Sequence, residues 1–279
     1  MSRFAHTVGG GGAPLRAREG RWSAVCGRYA SAKDPATLAA EFDAADAMGD
    51  AAPDLDYNVA PTKSVVTVVQ RHPREADGTV DRSRTERTLR VMKWGLVPTW
   101  AKDASGGAKM INARSETAAE KPAFRKSLAE RRCILPADGW FEWRRDKTSK
   151  QPFFTTPRDG SSLAMAGLWT TWRDKADPDA PVLITCAVLT TDAVGPLAEV
   201  HDRMPLLLGR DSWANWLDPD STDVAGLLAP PSIDLVDGLE IRPVAQAVNS
   251  VRNNGPELLA PLEAEALDLD APDLFSGRA

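Results

Sequence analysis

The sequence is poor in the residues that most readily announce a chemistry. It holds three cysteines and three histidines in 279 residues. Cys26, Cys133 and Cys186 are too few for a disulfide framework, and no two are spaced as CxxC. A cysteine-built zinc site is thereby excluded, and a reducing cytoplasm fits best. There is no cluster of metal ligands, no glycine-rich phosphate loop and no internal repeat, so neither metal nor cofactor is expected. No apolar run approaches the ~20 residues that cross a bilayer. A large charge of either sign is also missing. The formal net charge is −5, which speaks against strong non-specific binding to duplex nucleic acid. That charge is uneven. Residues 1–25 carry four arginines against one glutamate, and residues 257–279 carry six acids against Arg278. The body between them is near neutral and leaves room for a local basic groove.

What is present is a series of short β-branched and aromatic runs. They begin at Ser64-Val-Val-Thr-Val-Val69 and continue through residues 88–97, 133–136, 140–144, 152–156, 163–171 and 182–190. Turn signals such as Asp138-Gly139 and Asp159-Gly160 separate the later ones, and residues 72–87 read as a polar surface loop. This spacing predicts an antiparallel, barrel-like sheet rather than a βαβ series. Helical patterns cover residues 35–46, 115–131 and 211–217, the last placing Trp213 and Trp216 on one face. The expected fold class is α+β, a single domain over residues 26–256. A leader (1–25) precedes it and an acidic, flexible tail (257–279) follows, and a monomer is expected.

Cys26 heads Cys26-Gly27-Arg28-Tyr29 and follows Val25. An internal cysteine offers only a thiol, whereas a chain-initial cysteine offers a thiol and an α-amine on one residue. Inside a gene the GTG codon reads as valine, but at a start it is read as methionine. Initiation at position 25 would leave Cys26 first once that methionine is removed. The leader shows no secretory pattern and no helical or strand period. It reads as a removable pro-segment, a disordered tail or a mis-assigned start.

Other polar residues sit in apolar surroundings. Glu142 lies in Gly139-Trp-Phe-Glu-Trp143. Buried there, its pKa would rise toward the general-acid range, whereas on a solvent-facing strand position it would be ordinary. His201, beside Asp202 and Arg203, is a candidate proton shuttle or a structural histidine. Asn112 precedes a helical pattern and reads as a cap or as a site residue. Arg28 and Arg114 are surface or ion-paired arginines by default, yet either could hold phosphate. Most of the nine tryptophans are expected in the core. Trp100 follows a proline turn, where an exposed ring could stack on an unpaired base.

Together these segments resemble the SRAP family (SOS response-associated peptidase). The resemblance rests on Cys26-Gly-Arg-Tyr29, Tyr57-Asn-Val-Ala-Pro61, Trp94-Gly-Leu-Val-Pro-Thr-Trp100, Ile111-Asn-Ala-Arg-Ser-Glu-Thr117 and Ala137-Asp-Gly-Trp-Phe-Glu-Trp143. It continues through Gln151-Pro-Phe153, Leu189-Thr-Thr-Asp192, His201-Asp-Arg-Met-Pro205 and Val248-Asn-Ser-Val-Arg252. Each motif alone is weak, but their ordered succession over residues 26–256 is specific. The resemblance implies a distorted barrel and a shielding role at abasic sites in single-stranded DNA. It implies Cys26 as the nucleophile that bonds to the ring-opened sugar, with Asn112, Glu142 and His201 around it. It also implies DNA contacts by Arg28, Arg114, Trp100, Thr190 and Arg203. The 25 residues ahead of Cys26 depart from the family pattern and would block the amine if kept. Self-cleavage before Cys26 would remove the block. Two other readings stay open: a thiol peptidase or N-terminal-nucleophile hydrolase, and a non-covalent single-strand-binding module.

Overall fold

β-Branched and aromatic runs become strands, and polar turns break them, in the computed structural model, which describes residues 26–145, 150–177 and 179–262. The expected leader and residues 263–279 of the expected tail lie outside the described residues. Along the chain the strands are β1 (Arg28–Ser31), β2 (Ala45–Asp46), β3 (Asp56–Val59), β4 (Ser64–Arg71), β5 (Glu86–Trp94), β6 (Asn112–Arg114) and β7 (Arg132–Ala137). Then come β8 (Gly139–Arg145), β9 (Lys150–Pro157), β10 (Leu163–Trp172), β11 (Leu183–Asp192), β12 (Arg203–Pro205) and β13 (Leu239–Pro243). Short helices α1 (Pro35–Phe42), α2 (Arg125–Glu130), α3 (Trp213–Leu217) and α4 (Ile233–Asp237) flank them. The protein is of the α+β class. Among the described residues no helix is long and apolar enough to cross a membrane.

One sheet has the order β13-β9-β8-β1-β3, the other β12-β11-β10-β7-β4-β5-β2. An extra pairing of β11 with β5 joins β5, β4, β7, β10 and β11 into a ring. Most ladders are antiparallel, as expected. The ring, however, closes through a parallel pair, Thr185 opposite Lys93 and Cys186 opposite Trp94. β6 also runs parallel to β11, and β2 to β5. Periodicity within single strands carries no information about these long-range partners.

The helices are shorter than the sequence patterns. α1 opens as expected, with Pro35 in its first turn and Asp34 accepting from the backbone of Ala36 and Thr37. It ends at Phe42 because Asp43 adopts a left-handed conformation (φ 50°). The pattern over 115–131 yields only a 3-10 turn at Ser115–Thr117 and, after Pro122, α2. Proline disfavours helical geometry in the residue before it. Residues 72–87 are not all loop, since Glu86 and Arg87 already belong to β5. Part of the segment expected as tail lies within the described residues. Residues 257–262 return to the sheet, where Leu258 is buried, the Leu259 carbonyl accepts from Arg242 Nε at 2.9 Å and Leu262 N–H donates to the Pro243 carbonyl at 3.0 Å.

The core follows the tryptophans. Of those described, Trp94, Trp140, Trp169, Trp172, Trp213 and Trp216 are buried, and Trp100 is exposed. Strand alternation splits β8 between two clusters. Trp140 faces a core shared with Cys26, Tyr29, Trp94, Cys133 and Cys186, while Phe141 faces Phe154, Ala30 and Val248. Two glycines allow this packing. A Cβ on Gly139 would overlap the Thr155 carbonyl oxygen and the Phe154 ring, whereas one on Gly167 would meet a Leu135 methyl and the Cys133 sulfur. A side-chain end can move and a ladder carbonyl cannot. Gly139→Ala is therefore expected to cost about 1–3 kcal/mol, and Gly167→Ala less, in urea denaturation.

Burial pushes the thiols of Cys26, Cys133 and Cys186 and the phenol of Tyr29 upward in pKa. Such groups stay neutral in the folded chain while their unfolded counterparts ionise. Their contribution to stability is whole below about pH 8.5, the unfolded thiol value, and is lost as pH rises toward the folded values. Urea midpoints should fall between pH 8 and 10. The fall should be shallower in a Cys133→Ala/Cys186→Ala double variant, compared with its own value at pH 7.

Candidate functional site

β1 lies between β8 and β3, with Arg28 opposite Phe141 and Tyr29 opposite Trp140. This register brings the residue just ahead of β1 alongside Glu142. Cys26 is fully buried and left-handed at φ 48°, a conformation that a non-glycine residue adopts at some cost. Its backbone nitrogen donates to Glu142 Oε2 at 2.9 Å. Glu142 is itself buried at 5% exposure, which decides between its two sequence readings. It shares an inward face with Trp140, as strand alternation requires.

The second carboxylate oxygen of Glu142 faces His201, with Nε2 3.9 Å from Oε1. That is too long for a direct hydrogen bond but close enough for charge coupling. His201 Nδ1 has two neighbours with opposite demands. The Arg203 N–H lies 3.0 Å away and needs a lone pair there, whereas Asp202 Oδ1 at 2.8 Å needs a proton. The amide is fixed by backbone geometry, and the Asp202 side chain is 88% exposed and hydrated. An Nδ1 that accepts from the amide leaves the ring proton on Nε2, toward Glu142. The Cys26 thiol is held well above its ordinary pKa, first by burial and then by the Glu142 charge. At neutral pH it is a thiol, so its reactivity depends on a neighbouring base.

β6 positions Asn112 opposite Val188 of β11, with Arg114 opposite Thr190. Ile111 and Val188 share the buried cluster that contains Cys26, so Asn112 opens from the wall of the same core. Around Thr190 the chain builds a polar knot. Arg203 donates to Glu116 at 2.7 and 3.0 Å, to Asp192 at 2.6 Å and to the Thr190 carbonyl at 2.7 Å. Burial would lower the Arg203 pKa, but its two carboxylate partners outweigh that and raise it. Arg28 is likewise engaged, donating to Asn58 Oδ1 at 2.7 Å and to the Val248 carbonyl at 3.0 Å. Of the five expected DNA-facing residues, Arg114 and Trp100 are exposed, Arg28 is half-buried, and Thr190 and Arg203 are buried.

Two residues with structural weight were not singled out by the sequence reading. Asn58 is fully buried, and its amide donates to the carbonyls of Val248, Ser250 and Asn253 at 3.3, 3.0 and 3.1 Å. Glu116 supplies the bidentate partner of Arg203. Each is a polar residue inside an otherwise apolar or tightly spaced motif, and that was the available signal.

Among curated proteins, the abasic site processing protein YoqW of Bacillus subtilis is 36% identical over 239 residues, covering 84% of this chain and 99% of YoqW. The abasic site processing protein YedK of Escherichia coli is 32% identical, covering 85% of this chain and all of YedK. The mouse abasic site processing protein HMCES is 31% identical over 74% of this chain and 65% of its own length. A crystal structure from Bordetella bronchiseptica superposes with a TM-score of 0.61 at 26% identity, covering 79% of this chain and all of that one. A second, from Bacteroides thetaiotaomicron, shares the fold with a TM-score of 0.69 at 24% identity, covering 85% of this chain and all of that one. The profile described as "SOS response associated peptidase (SRAP)" matches residues 25–251, so it spans Cys26, Asn112, Glu142 and His201, and the chain belongs to the SRAP family.

Proposed function

We propose that this protein captures abasic sites in single-stranded DNA through a covalent bond to Cys26. The observation that carries the reading is the 2.9 Å contact between the Cys26 nitrogen and buried Glu142. Beside an amide, that carboxylate gains only a hydrogen-bond donor. Placed on a free α-amine, it can accept the proton that the amine must lose before attacking. The relatives named as abasic site processing proteins support the same lesion as substrate.

An abasic sugar reacts in its open aldehyde form. The Cys26 amine adds to the aldehyde carbon, forming a C–N bond. The proton moves through Glu142 to the hydroxyl, water leaves and an imine remains. The Cys26 thiol then adds across the C=N bond. A C–S bond forms, the thiol proton passes to the nitrogen through Glu142 or His201, and a five-membered thiazolidine closes. Both nucleophiles belong to one residue, so the second step is intramolecular and gains from proximity. Asn112 holds the sugar or the amine, and His201, with its proton on Nε2, helps recharge Glu142. Lyase-like chemistry follows from the imine, since it acidifies the neighbouring sugar carbon. Exposed Trp100 stacks on an unpaired base, and Arg28, Arg114, Thr190 and Arg203 line or brace the strand's path.

The amine exists only if the peptide bond before Cys26 is absent, through initiation at position 25 or through self-cleavage. The geometry favours a maturation role for the same groups. Thiol attack on the carbonyl of residue 25 expels the Cys26 nitrogen, and Glu142 lies where that nitrogen must be protonated. Hydrolysis of the resulting thioester would free Cys26.

Protein beginning at Cys26 is expected to form a denaturation-resistant complex with an abasic single-stranded oligonucleotide on gels. Cys26→Ala, or one extra residue ahead of Cys26, should abolish the stable product. A complex undiminished by both changes would overturn the mechanism. Glu142→Gln should slow crosslinking about 10²–10⁴-fold, the usual worth of a positioned acid–base group. His201→Ala should slow it less, because its ring acts through Glu142. Single-turnover rates check the order.

A further inference from the structure

A group of arginines lies at the opposite end of the ring of strands from Thr190 and Asp192. Arg71 ends β4, Arg131 precedes β7, and Trp169 lies near the end of β10. The guanidiniums of Arg71 and Arg131 lie 5.0 and 5.4 Å from the centre of the same Trp169 ring. Trp169 pairs with Cys186, four residues before Thr190 on β11, or about 13 Å at the usual rise per residue. Two adjoining concavities open here. One, of about 220 Å³, is lined by Arg71, Arg74, Arg132 and Trp169, among others. The other, of about 320 Å³, is lined by Arg71, Arg74 and Arg90 among others.

The charges do not balance. Among the described residues no carboxylate lies within 4 Å of Arg71, Arg74, Arg90 or Arg131. Among the described residues, the Arg131 guanidinium donates to the hydroxyls of Thr170 and Thr171, that of Arg74 to the Gly78 carbonyl and that of Arg90 to the Thr88 hydroxyl. Buried Arg132 adds a further positive charge, spent on backbone carbonyls such as those of Trp216 and Leu128. The acids nearby are Glu130 and Asp218 in the first concavity and Glu86 in the second. Glu86 is taken by Arg84, and Asp220 by His72 and Arg82. Arg71, exposed at the end of β4, accordingly carries the repulsion of Arg131, Arg74 and Arg90.

We infer that Arg71, Arg74 and Arg90, with Arg131 beside Arg71 on the Trp169 ring, form a second anion site, separate from the Cys26 pocket, that takes a phosphate group. A multivalent oxyanion supplies the missing countercharge and the several acceptor atoms that converging guanidiniums match bidentately. The Trp169 ring is already covered by the arginines and holds them in place, so the site recognises charge and not a base. The phosphate can come from the backbone of a bound DNA strand or from a free nucleotide.

The two sources separate in one experiment, which uses undamaged DNA and so does not depend on covalent capture. Titration calorimetry with inorganic pyrophosphate compares the wild type with Arg71→Gln/Arg131→Gln and with the exposed-site variant Arg90→Glu. Binding is expected to weaken about tenfold or more in both variants. In parallel, the salt dependence of binding is measured for a short single strand that fills only the Cys26 pocket and for a longer one. For a backbone phosphate, the slope with the longer strand falls by about 0.7 for every phosphate that is no longer neutralised, and the short strand is unaffected. For a free nucleotide, only the pyrophosphate arm changes. Variants that bind both pyrophosphate and the longer strand as the wild type does would overturn the site. Thermal melting of Arg90→Glu confirms that any weakening does not come from misfolding.

Discussion

Everything at the site depends on one pairing, β1 against β8. It is a short ladder, yet it lays Cys26 against a carboxylate 116 residues away in sequence. Glu142 could not be buried on its own, because an ionised carboxylate in an apolar core is costly unless it is hydrogen-bonded. The Cys26 N–H supplies a donor, and His201 supplies a polarisable neighbour on the other oxygen. The site is therefore mutually dependent. The Cys26 nitrogen solvates the carboxylate, and the carboxylate positions the nitrogen.

A second layer holds that arrangement rigid. Asn58 gathers three carbonyls from the segment at 248–253 and the guanidinium of Arg28, so β1 is braced on the side away from β8. On the far wall, the Arg203–Glu116–Asp192 knot fixes the backbone that presents His201. Asn58 and Arg203, the centres of these networks, are buried, and a buried polar group specifies one geometry because leaving it half-satisfied is expensive. Residues that the family resemblance assigns to DNA thus do structural work as well. Arg28 and Arg203 spend most of their donors inside the protein.

Much of this was legible in the sequence because strands announce themselves through β-branched runs and turns through Asp-Gly pairs. The seven strand segments read from the sequence all became strands, and the Trp213–Trp216 face was buried as its spacing required. The rest was set by partners far away in the chain. Parallel closure of β11 on β5 leaves no local mark. The broken helix after Ser115 came from Pro122 overriding a weak periodic pattern. Burial of Glu142 was undecided from alternation alone, since alternation says which residues share a face and not which face is wet. Asn58 and Glu116 were visible only as parts of motifs, because their role lies in bonds that cross nearly two hundred residues or a sheet edge. The arginine cluster was likewise invisible, as Arg71, Arg90 and Arg131 come from three different strands or strand ends.

The brace between Asn58 and the segment at 248–253 has a consequence for synthesis. Cys26 leaves the ribosome long before Glu142, and the carbonyls that lock β1 arrive almost last. Contacts so distant in sequence form slowly and together. During translation the cysteine therefore has neither the acid beside its nitrogen nor the closed core around its sulfur. A nascent or truncated polypeptide thus carries an exposed thiol of ordinary acidity, and completion of the chain buries it and raises its pKa.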